Sequence, residues 1–116
     1  MGKVIEKVKV TNAFEPDKSI EIDALIDTGA TMVVLPQDMV EKLGLRKIRE
    51  VKPVYRAVVI EVLGREGTFD VVCEKEGSQP LIGQVVLEVL DLVVDPRSRR
   101  LMPNPASPET PMIDIF

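Results

Sequence analysis

Residues 20–36 read Ile20-Glu21-Ile22-Asp23-Ala24-Leu25-Ile26-Asp27-Thr28-Gly29-Ala30-Thr31-Met32-Val33-Val34-Leu35-Pro36. Ile20, Ile22, Ala24 and Ile26 recur at period two, with Glu21 and Asp23 between them, so the first half is a strand with one apolar face. It delivers the chain into Asp27-Thr28-Gly29, and apolar, partly β-branched sequence resumes at Met32. Taken alone, an Asp-Thr-Gly is ordinary turn chemistry, expected by chance in a few per cent or so of chains this long. A carboxylate set between two apolar strands is different, because desolvation penalises it there unless it has a task. Glycine lets another backbone or a ligand approach closely, and threonine can hydrogen-bond locally to fix the loop.

Upstream, residues 3–10 alternate loosely and predict a strand; residues 12–19, containing Pro16-Asp17, predict a turn that reverses the chain. Downstream, Pro36 opens a short helix over 37–43 that Gly44 closes, with Met39, Val40 and Leu43 facing inward. Residues 57–63 and 68–73 predict two strands joined through the loop Gly64-Arg65-Glu66-Gly67. Residues 74–80 break the pattern. Pro80-Leu81-Ile82-Gly83 then echoes the earlier apolar run ending in glycine, followed by a short helix over 85–90, a strand over 92–95 and a short strand at Leu101-Met102. Pro103, Pro105, Pro108 and Pro111 exclude a regular ladder afterwards. The expected division is one domain over residues 1–102 and a Pro-rich tail over 103–116.

Composition narrows the function. A chain of 116 residues holds one modest core. A net charge of −4 and a pI near 4.9 offer no basic field for a phosphate backbone, so nucleic acid is not an expected partner. Histidine is absent, which excludes Ser-His and Cys-His nucleophiles, His bases and His-ligated metals together. The lone Cys73 excludes an intrachain disulfide and lies in an apolar strand pattern, as a buried, inert thiol does. The charged start and the lack of a long apolar stretch give the expectation of a cytoplasmic protein with no membrane partner.

Apolar-apolar-Asp27-Thr28-Gly29-Ala30-Thr31, then Leu35-Pro36, a short helix and the later Leu81-Ile82-Gly83 resemble the single-domain retropepsin-like aspartic proteases, over about residues 20–101. The resemblance implies a mainly β fold, a small closed barrel with one or two short helices, acting as a homodimer on peptide or protein substrates without cofactor or metal. It implies Asp27, Thr28 and Gly29 as the catalytic loop, Ala30, Thr31, Ile82 and Gly83 as substrate-contacting residues, and a dyad of one Asp27 from each chain. Three departures stand out. The interval for a glycine-containing flap, residues 47–56, has no glycine and reads as truncated. Gln84 replaces an arginine that helps tie many family dimers. Ile113-Asp114-Ile115-Phe116 is a short apolar strand-like end, suited either to an intersubunit sheet or to a cleft. An alternative therefore stays open: a weakly active or inactive dimer of this fold that binds peptides or scaffolds.

Overall fold

The computed structural model describes residues 3–108. β1 (Ile5–Asn12) and β2 (Ser19–Ile26) form an antiparallel hairpin, with Ile5 opposite Leu25 and Thr11 opposite Ser19. β3 (Val33–Pro36) runs into α1 (Gln37–Lys42), followed by β4 (Arg46–Arg49), β5 (Val54–Val62) and β6 (Arg65–Glu74). β7 (Leu81–Ile82), α2 (Gln84–Leu90), β8 (Leu92–Asp95) and β9 (Arg100–Pro103) complete the chain. The order β1-β2-β7-β3-β6-β5 closes on itself through β5–β1 pairing, leaving β4 on the free flank of β5. This is the small closed β-fold with short helices that the resemblance implies.

Alternation explains the closure. β2 buries Ile22, Ala24 and Ile26, and β1 buries Val8 and Val10 on the same inner face. Leu35, Leu43, Ile60, Ile82 and Leu90 are fully buried, each favouring the fold by roughly 2 kcal/mol of transfer free energy. Cys73 is buried; its thiol donates to Gln37 Oε1 at 3.0 Å, and burial raises its pKa. β7 is a short wedge between β2 and β3. It lies parallel to β2, with Ile26 opposite Ile82, and antiparallel to β3, with Val34 opposite Leu81. Residues far apart in sequence thereby become neighbours on one rung.

Three buried polar side chains organise the irregular parts. Asn12 accepts hydrogen bonds at Oδ1 from the Phe14 and Glu15 amides, and its Nδ2 donates to the Leu43 carbonyl at 2.8 Å, so one side chain shapes the β1–β2 turn and satisfies the end of α1. Arg65 donates to the carbonyls of Leu90, at 3.0 Å, Asp91, at 2.9 Å, and Ser107, capping α2 and holding the segment after β9. Glu6 accepts from Arg100 Nε at 2.8 Å, Arg100 Nη2 at 3.1 Å and the Leu101 amide at 2.8 Å, which fastens β9 to β1. Those bonds hold the Glu6 carboxyl below the usual carboxylate range.

Two expectations about the central hairpins are corrected. The joint between β5 and β6 is only Leu63-Gly64, with φ of 53° and 77°, so Arg65 is the first residue of β6 and buried rather than part of the loop. Residues 47–56 are not without structure. β4 pairs Arg46 with Arg56 and Lys47 with Tyr55, and β5 begins at Val54 rather than Ala57. A short hairpin fills that interval, turning through residues 50–53, and its second strand is also paired to β6, Val54 opposite Val72. Every residue of β4 is exposed, so no alternation announces it. The expected strand-like end Ile113-Asp114-Ile115-Phe116 lies outside the described residues.

Candidate active site

Asp27 stands where β2 runs out between β7 and the start of β3. Its amide donates to the Ile82 carbonyl at 3.0 Å, extending the β2–β7 ladder by one residue and fixing the point at which the chain leaves the sheet. Beyond it the chain doubles back. Asp27 Oδ1 accepts from the Gly29 amide at 2.9 Å, and the Asp27 carbonyl accepts from the Ala30 amide at 3.1 Å. The aspartate side chain thus holds its own loop in an Asx turn. One carboxylate oxygen is oriented by this bond; Oδ2 has no hydrogen-bond partner among the described residues.

The C-terminal arm of the loop is pinned to α2. The Gln84 amide donates to the Ala30 carbonyl at 2.8 Å and the Val85 amide to the Thr31 carbonyl at 3.1 Å, so two of the first amides of the helix are satisfied by the loop. Gly83 makes this approach possible. A Cβ at that position would fall 2.5 Å from the Met32 carbonyl oxygen and 2.7 Å from that of Thr31. Gly83 is buried and its φ of −91° suits any residue; closeness of backbone, not a special dihedral, demands the glycine.

All the residues singled out from sequence therefore fall in one place. Residues 27–31 and 82–83 meet as two crossing segments, joined by backbone bonds through Asp27, Ala30, Thr31 and their partners. Ile82 and Gly83 are buried behind the loop, Asp27 and Ala30 are half-buried, and Thr28, Gly29 and Thr31 are exposed. Among the described residues the Thr28 hydroxyl makes no hydrogen bond. Sequence reading missed what lies beside the loop. Met32, Val33, Val85 and Val86 line a hollow of about 240 Å³ with Thr68, Phe69 and Asp70. Val85 is apolar yet 38% exposed at the start of α2, and no period in the sequence marks it as a lining residue.

A closed barrel with a carboxylate loop at a strand end, a short strand wedged behind it and a helix starting against it is the acid-protease fold. Solved structures agree. The EIAV protease complexed with the inhibitor HBY-793 matches with a TM-score of 0.59 at 17% identity, covering 75% of this chain and 86% of that one. The retroviral protease-like domain of Ddi1 from Leishmania major matches with a TM-score of 0.65 at 16% identity, covering 98% and 95%. A retropepsin-like aspartic protease from Rickettsia conorii matches with a TM-score of 0.55 at 18% identity, covering 82% and 84%. At these identities the likeness is one of fold. A sequence profile described as "gag-polyprotein putative aspartyl protease" matches residues 17–97, and the chain belongs to that family. No protein of curated function matches it.

Proposed function

We propose that this chain is one subunit of a homodimeric aspartic endopeptidase, with Asp27 of each copy forming the catalytic pair. The observation that carries the reading is the Asp27 carboxylate itself. It is held by the Gly29 amide at 2.9 Å, in a loop pinned to β7 and α2, and it is half-buried beside exposed Thr28 and Gly29. Asp-Thr-Gly occurs once in 116 residues, so a second carboxylate of this kind comes from a second copy. Two exposed loops meeting on a twofold axis bring it there.

Two carboxylates brought side by side share one proton, because both cannot ionise readily. The ionised member takes a proton from water as the water oxygen attacks the peptide carbonyl carbon, and the protonated member donates to the carbonyl oxygen. The carboxyl that took the proton from water then gives it to the amide nitrogen while the other takes one back from a hydroxyl of the tetrahedral intermediate, and the C–N bond breaks to leave an acid and an amine with the pair sharing one proton again. Thr28 braces the two loops, and the Gly29 carbonyl and Thr31 amide, which bond no described residue, offer backbone groups to an extended substrate on either side of Ala30. Ile82 and Gly83 back the loop, and the hollow beside Met32 and Val85 suits an apolar side chain of the substrate.

A second reading is a peptide-binding dimer without turnover. It is favoured by the β4–β5 hairpin, whose turn has no glycine and whose second strand is paired on both sides, which limits its freedom to close over a substrate. Digestion of a peptide library at acidic pH, with pepstatin and Asp27→Asn as controls, separates the two. An endopeptidase cleaves, is blocked by pepstatin, and loses turnover on the order of 10³-fold or more on Asp27→Asn while its dimer mass is unchanged. Failure to cleave any peptide by a verified dimer sinks the enzyme reading.

A further inference from the structure

A hollow of about 460 Å³ lies apart from the Asp27 loop, lined by Asn12, Phe14, Glu15, Gly44, Arg46 and Arg56. None of these residues belongs to the loop, to β7 or to α2. Its two arginines are poorly compensated by the fold. Arg46 and Arg56 face each other directly across β4 and β5, a like-charge pairing that works against the hairpin. Arg46 has no ion-pair partner among the described residues. Arg56 has only a solvent-exposed contact of 3.9 Å with Asp70. Glu15, the acid on the wall, is already taken by Lys18 at 3.1 Å. Two guanidinium groups thus share one concave surface, with Asp70 as their one weak, exposed counter-charge among the described residues.

The walls are built rather than accidental. Buried Asn12 holds the Phe14-Glu15 side through its Oδ1 and the Leu43-Gly44 side through its Nδ2, and the Ala13 amide bonds the Ala57 carbonyl at 2.8 Å. The same arrangement keeps the Phe14 ring at the rim, 71% exposed, where packing gives no reason for an aromatic. An open ring is a stacking or apolar platform. Paired guanidinium forks fit phosphate oxygens, and the volume falls in the range of small-molecule sites.

We infer that this hollow binds a small organic phosphate, its phosphate on Arg46 and Arg56 and a planar or apolar body against Phe14; nucleoside monophosphates are of this class. The site is independent of the peptidase reading. Calorimetric titration of the full chain at low salt tests it with AMP, adenosine, inorganic phosphate and citrate. AMP binds with a Kd below about 1 mM, more tightly than inorganic phosphate or citrate, and adenosine gives no heat. Arg46→Gln and Arg56→Gln each weaken AMP about tenfold or more. Phe14→Ala weakens AMP but leaves inorganic phosphate unchanged. Ligand-free Arg46→Gln melts no lower than the parent protein, because the substitution removes a like-charge pair; a lower melting point would make Arg46 structural and overturn the proposal. So would no binding of AMP at millimolar concentration, equal binding by the doubly substituted protein, or citrate binding as tightly as AMP.

Discussion

A methyl group added at Gly83 has no room. The new carbon would meet the Met32 carbonyl oxygen at 2.5 Å, the Thr31 carbonyl carbon at 2.6 Å and the Thr31 oxygen at 2.7 Å, all of them backbone atoms that cannot swing aside. Overpacking of this kind costs about 1–3 kcal/mol. Relief requires β7 and the residue 30–32 arm to separate, which weakens the Gln84–Ala30 and Val85–Thr31 bonds at about 1 kcal/mol each. Against this stands a gain of about 0.4–1 kcal/mol from a less flexible unfolded chain, available because φ of −91° is open to alanine. The balance is a loss of roughly 3 kcal/mol. With an unfolding entropy of roughly 0.24 kcal/mol/K for a chain this long, Gly83→Ala lowers Tm by about 12 °C. Thermal unfolding followed by circular dichroism at fixed protein concentration reads this directly. Gly29→Ala is the control: its Cβ would meet only the movable Asp27 Oδ1, at 3.2 Å, so it disturbs the carboxylate more than the fold. A Gly83→Ala protein melting within about 2 °C of its parent would refute the claim that the loop and β7 touch backbone to backbone.

Other outcomes follow from the buried polar groups. Glu6 has a carboxyl pKa lowered by Arg100 and the Leu101 amide, so its stabilisation is complete above the unfolded value near 4.5 and is lost as pH falls through the folded value. Glu6→Gln is therefore less stable at pH 7, by on the order of 1 kcal/mol given the exposure of Arg100, and the gap to the parent closes on acidification below about pH 4.5; denaturant midpoints across pH measure it. Arg65→Leu removes the three hydrogen bonds that Arg65 gives the Leu90, Asp91 and Ser107 carbonyls and destabilises by about 3 kcal/mol, read as a lower denaturant midpoint with unchanged slope.

The two segments of the candidate site could be located because each is local. Period-two alternation leading into Asp27 declares a strand running into a loop, the apolar pair ending in Gly83 declares a second short strand before a helix, and the fold only had to bring the two together. What stayed hidden depends on partners distant in sequence. Glu6 sits on the inner face of β1 where alternation calls for an apolar residue, and the explanation, Arg100, lies 94 residues away. Arg65 read as a loop residue because a glycine stood on either side; the actual turn needs Leu63 at positive φ, which leucine does not advertise. β4 has no buried face at all, so Arg46-Lys47-Ile48-Arg49 carries no period and the hairpin it makes with β5 could not be read.

A shared dyad needs one Asp27 from each of two chains, and subunit mixing asks about that directly. Parent and Asp27→Asn chains are denatured together in equal amounts, refolded so that subunits assort at random, and assayed for peptide cleavage against the same total of parent protein. A dyad predicts about one quarter of the parent activity, since only dimers with both aspartates turn over. A value of about one half, with activity proportional to the parent fraction, would mean that each chain works alone and would contradict the account.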